Sequence, residues 1–191
     1  MNNIPDSILV PGVYVTIDNS LANTANGTPF KTVFLGQKTS AGTATAATLT
    51  QVFSAEQAAG LFGNGSILDE MLRGWFNTNN VNECYAIALA DDGSGVAATQ
   101  TLTVTASSAQ AGTLQLYING RLVRVGVTAS QTASQIGDAI AAAITADVRL
   151  PVTAANDSGV VTCTAKNKGT IGNLIDIRFN ASSGDAFPSG V

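Results

Sequence analysis

The sequence contains no histidine, and this absence removes a large part of enzyme chemistry. Imidazole is the base in Ser-His and Cys-His nucleophile systems, and it is the commonest side-chain ligand of metals such as zinc. A Ser-Lys dyad needs no histidine, but the chain has no S-x-x-K motif. We therefore expect a protein that is not an enzyme, with no catalytic residue, no metal site and no cofactor.

Charged side chains are also scarce, at 12% of the chain against about 25% in an ordinary soluble domain. The 13 acidic and 9 basic residues give a net charge of −4, and the basic residues form no run. Nucleic-acid binding requires clustered Lys and Arg that displace counterions from phosphates. The charge balance therefore excludes a nucleic-acid partner.

Cysteines and long apolar runs are few. Cys84 and Cys163 lie in separate apolar stretches without CxxC spacing, which favours two buried free thiols over a disulfide or a reactive thiol. No apolar stretch approaches the roughly 18 residues that cross a bilayer. The first residues, MNNIPDSILVPG, lack the basic start of a signal peptide. We expect no membrane insertion and no secretion by that route.

The first 30 residues predict an extended arm with one strand. Two segments rich in Pro, Asn or Thr, residues 5–11 and 19–29, flank a short alternating stretch. This stretch has no evident strand partner nearby in the sequence, so it is a candidate for pairing outside its own domain. Its residues are Val13, Tyr14, Val15, Thr16 and Ile17.

Residues 31–95 predict a small α/β module. The apolar runs 32–36 and 84–89 are typical of strands that are covered on both faces. A loop at 39–50 precedes two helices, which begin after a Ser54/Gln57 capping box and after Ser66. The predicted core stripe of the second helix leaves Asp69, Glu70 and Arg73 pointing elsewhere. That stripe consists of Leu68, Met71, Leu72, Trp75 and Phe76.

Residues 96–180 predict a second, α+β module that follows the turn DDGSG at 91–95. Asn119-Gly120 and Asn156-Asp157-Ser158-Gly159 each mark a hairpin between two β-rich stretches. Thr132 and Gln135 form a capping box before a helix, and residues 174–179 give a last strand. The fold class is therefore mixed α+β and α/β, a small α/β module and then a β-rich sheet module with one packed helix. Residues 181–191 are rich in Gly, Ser and Pro and predict a flexible tail.

Three short motifs invite a chemical interpretation, and each has a simpler one. Gly63-Asn64-Gly65-Ser66 lacks the Lys of a phosphate loop and is better read as the end of one helix and the cap of the next. Asp91-Asp92-Gly93 has Leu102 where a calcium loop needs Glu, so it predicts a turn. Lys166 and Lys168 are expected in a solvated loop.

The order of four segments resembles the N-terminal part of Mu-type contractile phage tail sheath proteins. The segments are PGVYV (11–15), KTVFLGQKTSAG (31–42), TQVFSAEQAAGLFG (50–63) and ILDEMLRGWFNTNNVNECYAIAL (67–89). The second module, with YINGRLVRVGVT and TAKNKGTIGN, resembles the domain that these sheaths insert into their core and display outward. The resemblance implies that residues 31–95 are an incomplete core portion and that 181–191 lead to a C-terminal domain absent from this chain.

The resemblance also implies a function. Sheath subunits assemble helically around a tail tube and contract, which drives the tube through the bacterial envelope for genome ejection. The implied partners are other copies of the chain, the tail tube protein, and baseplate and tail terminator proteins. The implied location is the virion, after assembly in the host cytoplasm. An N-terminal arm that donates a strand to a neighbour would use Val13–Ile17. The alternative is a displayed module of a tail fibre or adhesin that binds a surface or a glycan.

Overall fold

The computed structural model describes residues 30–79 and 81–191. These residues form a mixed α+β fold, as the sequence predicts, and residues Lys31–Val191 make one compact unit. The helices are α1 (Ala55–Phe62), α2 (Ile67–Thr78) and α3 (Ala133–Ala146), and a 3₁₀ helix covers Thr170–Leu174. The strands are β1 (Lys31–Gln37), β2 (Leu49–Val52), β3 (Glu83–Leu89), β4 (Ala97–Thr103), β5 (Gly112–Ile118), β6 (Arg121–Val127), β7 (Val152–Asp157), β8 (Val160–Lys168) and β9 (Ile177–Phe179).

The first sheet has the strand order β1-β3-β2. Strands β1 and β3 are parallel, with Thr32 opposite Cys84, and β2 joins β3 antiparallel, with Val52 opposite Cys84. Strand β2 corrects the sequence prediction, because its first residues fall in the expected loop 39–50. It has only four residues, LTQV, and so lacks the long apolar run that reveals β1 and β3.

The three helices begin at the capping residues that the sequence predicts. The Ser54 hydroxyl accepts from Gln57 N at α1, and the Ser66 hydroxyl accepts from Asp69 N at α2. At α1 the reciprocal half of the capping box is absent, because the Gln57 side chain accepts from Phe53 N instead of Ser54 N. The box of Thr132 and Gln135 at α3 is complete. Gly63, with φ 87°, ends α1, as the cap interpretation of Gly63–Ser66 predicts.

The helices of the first part cover one face of the first sheet. Leu68 and Leu72 of α2 are fully buried against the small side chains of β3. Gly36 of β1 permits this close approach, because a Cβ there would lie 3.3 Å from the Leu68 side chain. This cluster is separate from the core of the second part. Its buried members are Ala44, Val52, Ala58, Phe62, Leu68, Leu72, Cys84, Ala86 and Ala88.

The second part contains two three-stranded sheets, β4-β8-β7 and β6-β5-β9, where the sequence predicted one sheet. Both sheets and α3 share one core, to which α3 contributes Ile136, Ile140 and Ile144. The β5–β6 turn has Asn119 at φ 49° and Gly120 at φ 78°, the left-handed pair of a type I′ hairpin. The two inner sheet faces and the helix thus enclose a single apolar interior.

Both cysteines are free and buried, as predicted. Cys84 lies in the first hydrophobic cluster and Cys163 in the second. Burial raises the pKa of each thiol, so both remain protonated at neutral pH. Neither thiol is poised as a nucleophile.

The last residues lie against the sheet β6-β5-β9. Pro188 is buried against Gly112, and Ala109 N donates to Ser189 O at 2.8 Å. The Phe187 ring lies 5.5 Å from the Phe179 ring, measured between centroids. The chain therefore reaches residue 191 beside the start of β5.

Candidate interaction surfaces

The predicted strand-donating residues Val13, Tyr14, Val15, Thr16 and Ile17 lie outside the described residues. Their proposed role stays a prediction. The surfaces described below belong to residues 31–191.

The first sheet leaves its second face uncovered in the described part of the chain. On β1, the side chains of Val33 and Leu35 are 52% and 57% exposed, and Leu49 of β2 is 57% exposed. Ile87 of β3 lies between Leu35 and Leu49 in the strand register. We call this surface, formed by Val33, Leu35, Leu49, Ile87 and Leu89, the open sheet face.

The open sheet face corrects the expectation that β1 and β3 are covered on both faces. On β3, alternate residues differ in exposure, because they point to opposite faces of the sheet. Cys84, Ala86 and Ala88 are buried, whereas Leu89 is 40% exposed. All-parallel sheets occur almost only with both faces covered, because their crossover helices pack on the two faces, whereas this sheet is mixed and carries helices on one face. An exposed apolar patch of this kind is typical of an interaction surface.

One end of the open sheet face carries a charged pair. The Lys31 ammonium lies 3.2 Å from the Glu83 carboxylate, which also accepts a hydrogen bond from the Tyr85 hydroxyl at 3.1 Å. The hydrogen bond with Lys31 lowers the pKa of Glu83 and raises that of Lys31. Because both side chains remain accessible to solvent, this ion pair adds little to stability. It lies at one end of the open sheet face.

A buried polar joint connects the two parts of the compact unit. Asn167, 4% exposed, accepts from Ile67 N at 3.0 Å and donates to Lys38 O and to an Asp91 carboxylate oxygen, both at 3.1 Å. The same carboxylate accepts from Gln37 Nε2 at 2.9 Å and from Lys168 N at 3.0 Å. Strand β8 of the second part is thereby fixed to β1 and to the start of α2.

The joint corrects the expectation that Lys166 and Lys168 lie in a solvated loop. Both belong to β8, and the Lys166 ammonium donates to Asn64 O at 3.0 Å and to Val148 O at 2.6 Å. Burial lowers the pKa of Lys166. The Lys168 ammonium donates to Gly93 O at 2.9 Å, within the predicted turn. Sequence reasoning missed the joint because its partners lie up to 131 positions apart.

Asp69 also departs from its predicted place. Its side chain is fully buried, whereas the sequence pattern predicts that it points away from the core. Its carboxylate accepts from Gly65 N at 2.8 Å and lies 3.1 Å from Arg73 Nε. The negative carboxylate therefore lies at the positive N-terminal end of the α2 dipole and stabilises it. This is the role expected of an acidic residue in a first helical turn.

The described residues contain no group of three or more His, Cys, Asp or Glu side chains that could hold a metal ion. In the same residues, no helix is long and apolar enough to cross a membrane.

No protein-family model matches the chain. A curated relative does: the chain is 36% identical, over all 191 of its residues, to the Mu-like prophage FluMu tail sheath protein of Haemophilus influenzae. The match covers 39% of that relative, so the chain spans less than half of the relative's length.

Proposed function

We propose that the chain forms part of a structural, non-enzymatic subunit of a phage tail sheath, because it is similar over its whole length to a Mu-like tail sheath protein. The match carries this proposal, because it runs through both parts of the compact unit and through the N-terminal 30 residues. The open sheet face supports it, since a subunit of a multi-copy assembly needs apolar contact surfaces.

In the finer proposal, many copies assemble helically around a tail tube, and the sleeve contracts to drive the tube through the bacterial envelope for genome ejection. The tail tube, baseplate and tail terminator proteins are the further partners, and the virion is the location after assembly in the host cytoplasm. The comparison does not favour the alternative of a displayed surface- or glycan-binding module.

Each region has a proposed role in such a subunit. Residues 31–95 form a portion of the sheath core, and 96–180 form the domain displayed outward. Residues 13–17 donate a strand to the sheet of a neighbouring subunit, since an alternating stretch between two segments rich in Pro, Asn or Thr suits β-augmentation. A head-to-tail exchange of this kind is a heterologous contact, which builds open helical assemblies.

The strand-donation proposal is tested with protein expressed from the whole reading frame that encodes this chain. We expect regular tubes by negative-stain electron microscopy. Val15→Pro should abolish them, because proline removes a backbone donor from the pairing strand. Thr24→Pro, in the polar segment 19–29, is the matched control and should leave tubes intact.

Two results would contradict these proposals separately. Tubes that persist with Val15→Pro would contradict strand donation by residues 13–17. Monomers at every concentration of the unaltered protein would contradict the sheath role itself.

A further inference from the structure

The hydrogen bonds between the two parts of the compact unit all come from one short segment. Here the first part comprises residues 30–79 and 81–90, and the second part comprises residues 96–191. Four hydrogen bonds cross between these ranges, and each involves Lys166, Asn167 or Lys168 at the end of β8. No ion pair joins the same two ranges. The joint is therefore concentrated at three consecutive residues.

The buried apolar cores of the two parts are separate. All members of the first hydrophobic cluster lie between residues 34 and 88, and all members of the second lie between residues 102 and 191. Each part therefore has a core of its own. Relative motion of two such bodies is the default expectation unless a large apolar interface joins them.

A cleft lies on each side of the joint. The side chains of Lys166 and Asn167 point to opposite sides of β8, because they are adjacent in a strand. Beside Asn167, a cleft of about 230 Å³ separates α2 from the 3₁₀ helix. Beside Lys166, a cleft of about 480 Å³ separates Thr39 and Asn64 from Val148. The two parts are therefore not closely packed on either side of the joint, which leaves room for one to tilt against the other.

A close backbone approach between the parts also lies beside the joint. The turn before α2 lies against the turn before β7, and a Cβ on Gly65 would collide with Leu150 O. The same Cβ would lie 2.9 Å from the Lys166 Nζ atom. This contact thus belongs to the same small region as the hydrogen bonds, and it adds no second attachment at a distance from them.

Within the described residues, the chain passes from the first part to the second through the turn at 91–95, directly after β3. This turn is fastened to the second part, because Lys168 N donates to the Asp91 carboxylate at 3.0 Å and the Lys168 ammonium donates to Gly93 O at 2.9 Å. The covalent connection and the joint therefore lie at the same place. Such an arrangement restricts the position of the second part but resists its tilting only through the joint.

We propose that the joint is a hinge with a releasable lock. Its crossing hydrogen bonds hold the second part in one orientation, and when they open, the second part tilts as an intact body about the chain connection after β3. Since the two cores are separate, tilting exposes no buried apolar cluster. Hinge motions of this kind move whole bodies and leave their internal packing unchanged. The inference concerns this chain alone and does not rest on the sheath role.

Residual dipolar couplings of the backbone N–H bonds in the 191-residue chain test the hinge. One rigid body fits a single alignment tensor, whereas two bodies that move against each other need two tensors. The joint variant combines Gln37→Ala, Lys166→Met and Asn167→Ala, which remove all four crossing hydrogen bonds. We expect a single tensor for the wild type. For the joint variant we expect loss of the common tensor, with the chemical shifts inside each part unchanged away from the altered residues.

The matched control combines Lys38→Met and Tyr117→Phe. These changes remove hydrogen bonds that lie inside one part, from the Lys38 ammonium to Gly42 O and from the Tyr117 hydroxyl to Asp185, both 2.9 Å long. The joint stays intact, so the control variant should keep a single tensor. The comparison separates release of the joint from a general loss of hydrogen bonds.

Three results would overturn the proposal. A joint variant that still fits one tensor would show that other contacts fix the orientation. A wild type that already needs two tensors would show that the joint does not lock it. A joint variant that loses the dispersed signals of β3 or β5 would show that the two parts are not independent bodies. None of these results bears on tube formation by the whole reading frame, so a failure here is distinguishable from a failure of the sheath role.

Discussion

At the scale of single residues, Asn167 links the two parts of the compact unit. Its side-chain oxygen accepts a hydrogen bond from Ile67 N, and its side-chain nitrogen donates to Lys38 O and to Asp91. A buried amide is costly unless its polar atoms are paired, and here all three partners are supplied by the first part of the chain. The residue therefore stabilises the orientation of β8 relative to α2 and β1.

Replacing this amide should destabilise the protein. Asn167→Ala removes the partner of the Ile67 N–H and one donor each from Lys38 O and Asp91, so the free energy of unfolding should fall by about 1–3 kcal/mol. Guanidinium chloride denaturation measures the difference. Asn173→Ala, at an exposed position, is the control and should change stability by less than about 0.5 kcal/mol. Equal stability of the two variants would contradict the role of the joint.

Several residue-scale features were beyond sequence reasoning. The KNKG motif has the composition of a loop, and nothing local shows that Asn167 meets Ile67 from 100 positions away. Asp69 occupies a helix position that normally faces solvent. Its burial depends on Arg73 and on the turn at Gly65, which place partners around the carboxylate. The partners of Asn167 are distant in the sequence, whereas those of Asp69 are four positions away on either side and carry no motif that announces a buried carboxylate.

At the scale of elements, local signals predicted the helices well. The N-cap residues Ser54, Ser66 and Thr132 each satisfy a free backbone N–H, and Gly63 ends α1 with a positive φ. The 3₁₀ helix was missed, since five residues, TIGNL, carry no periodic signal. The open sheet face was also missed, because an apolar run shows that a strand suits burial and cannot show what covers it.

The stripe of α2 gives an element-scale prediction. The sequence put both Met71 and Leu72 in the core, but Leu72 is fully buried and Met71 is 39% exposed. Leu72→Ala should therefore lower the free energy of unfolding by about 2–5 kcal/mol, from lost burial and a residual cavity. Met71→Ala should lower it by less than about 1 kcal/mol. Denaturant unfolding of both variants checks this, and a loss at Met71 as large as at Leu72 would contradict the described burial.

At the scale of the whole molecule, the scarcity of charge fits a protein that contacts copies of itself. Charged side chains are depleted at the centre of interfaces, because an unpaired charge is costly to desolvate. The compact unit has two hydrophobic clusters, yet it leaves apolar side chains exposed on the open sheet face and, at Ile171 and Leu174, on the 3₁₀ helix. We propose that an assembly covers these exposed apolar surfaces.

The central claim is that this chain belongs to a sheath subunit whose open sheet face is covered in the assembly. A cryo-electron microscopy map of particles made from the whole reading frame tests it most directly. We expect a helical array in which Val33, Leu35 and Leu49 contact protein. An array that leaves these side chains in solvent, or the absence of any ordered array, would contradict it.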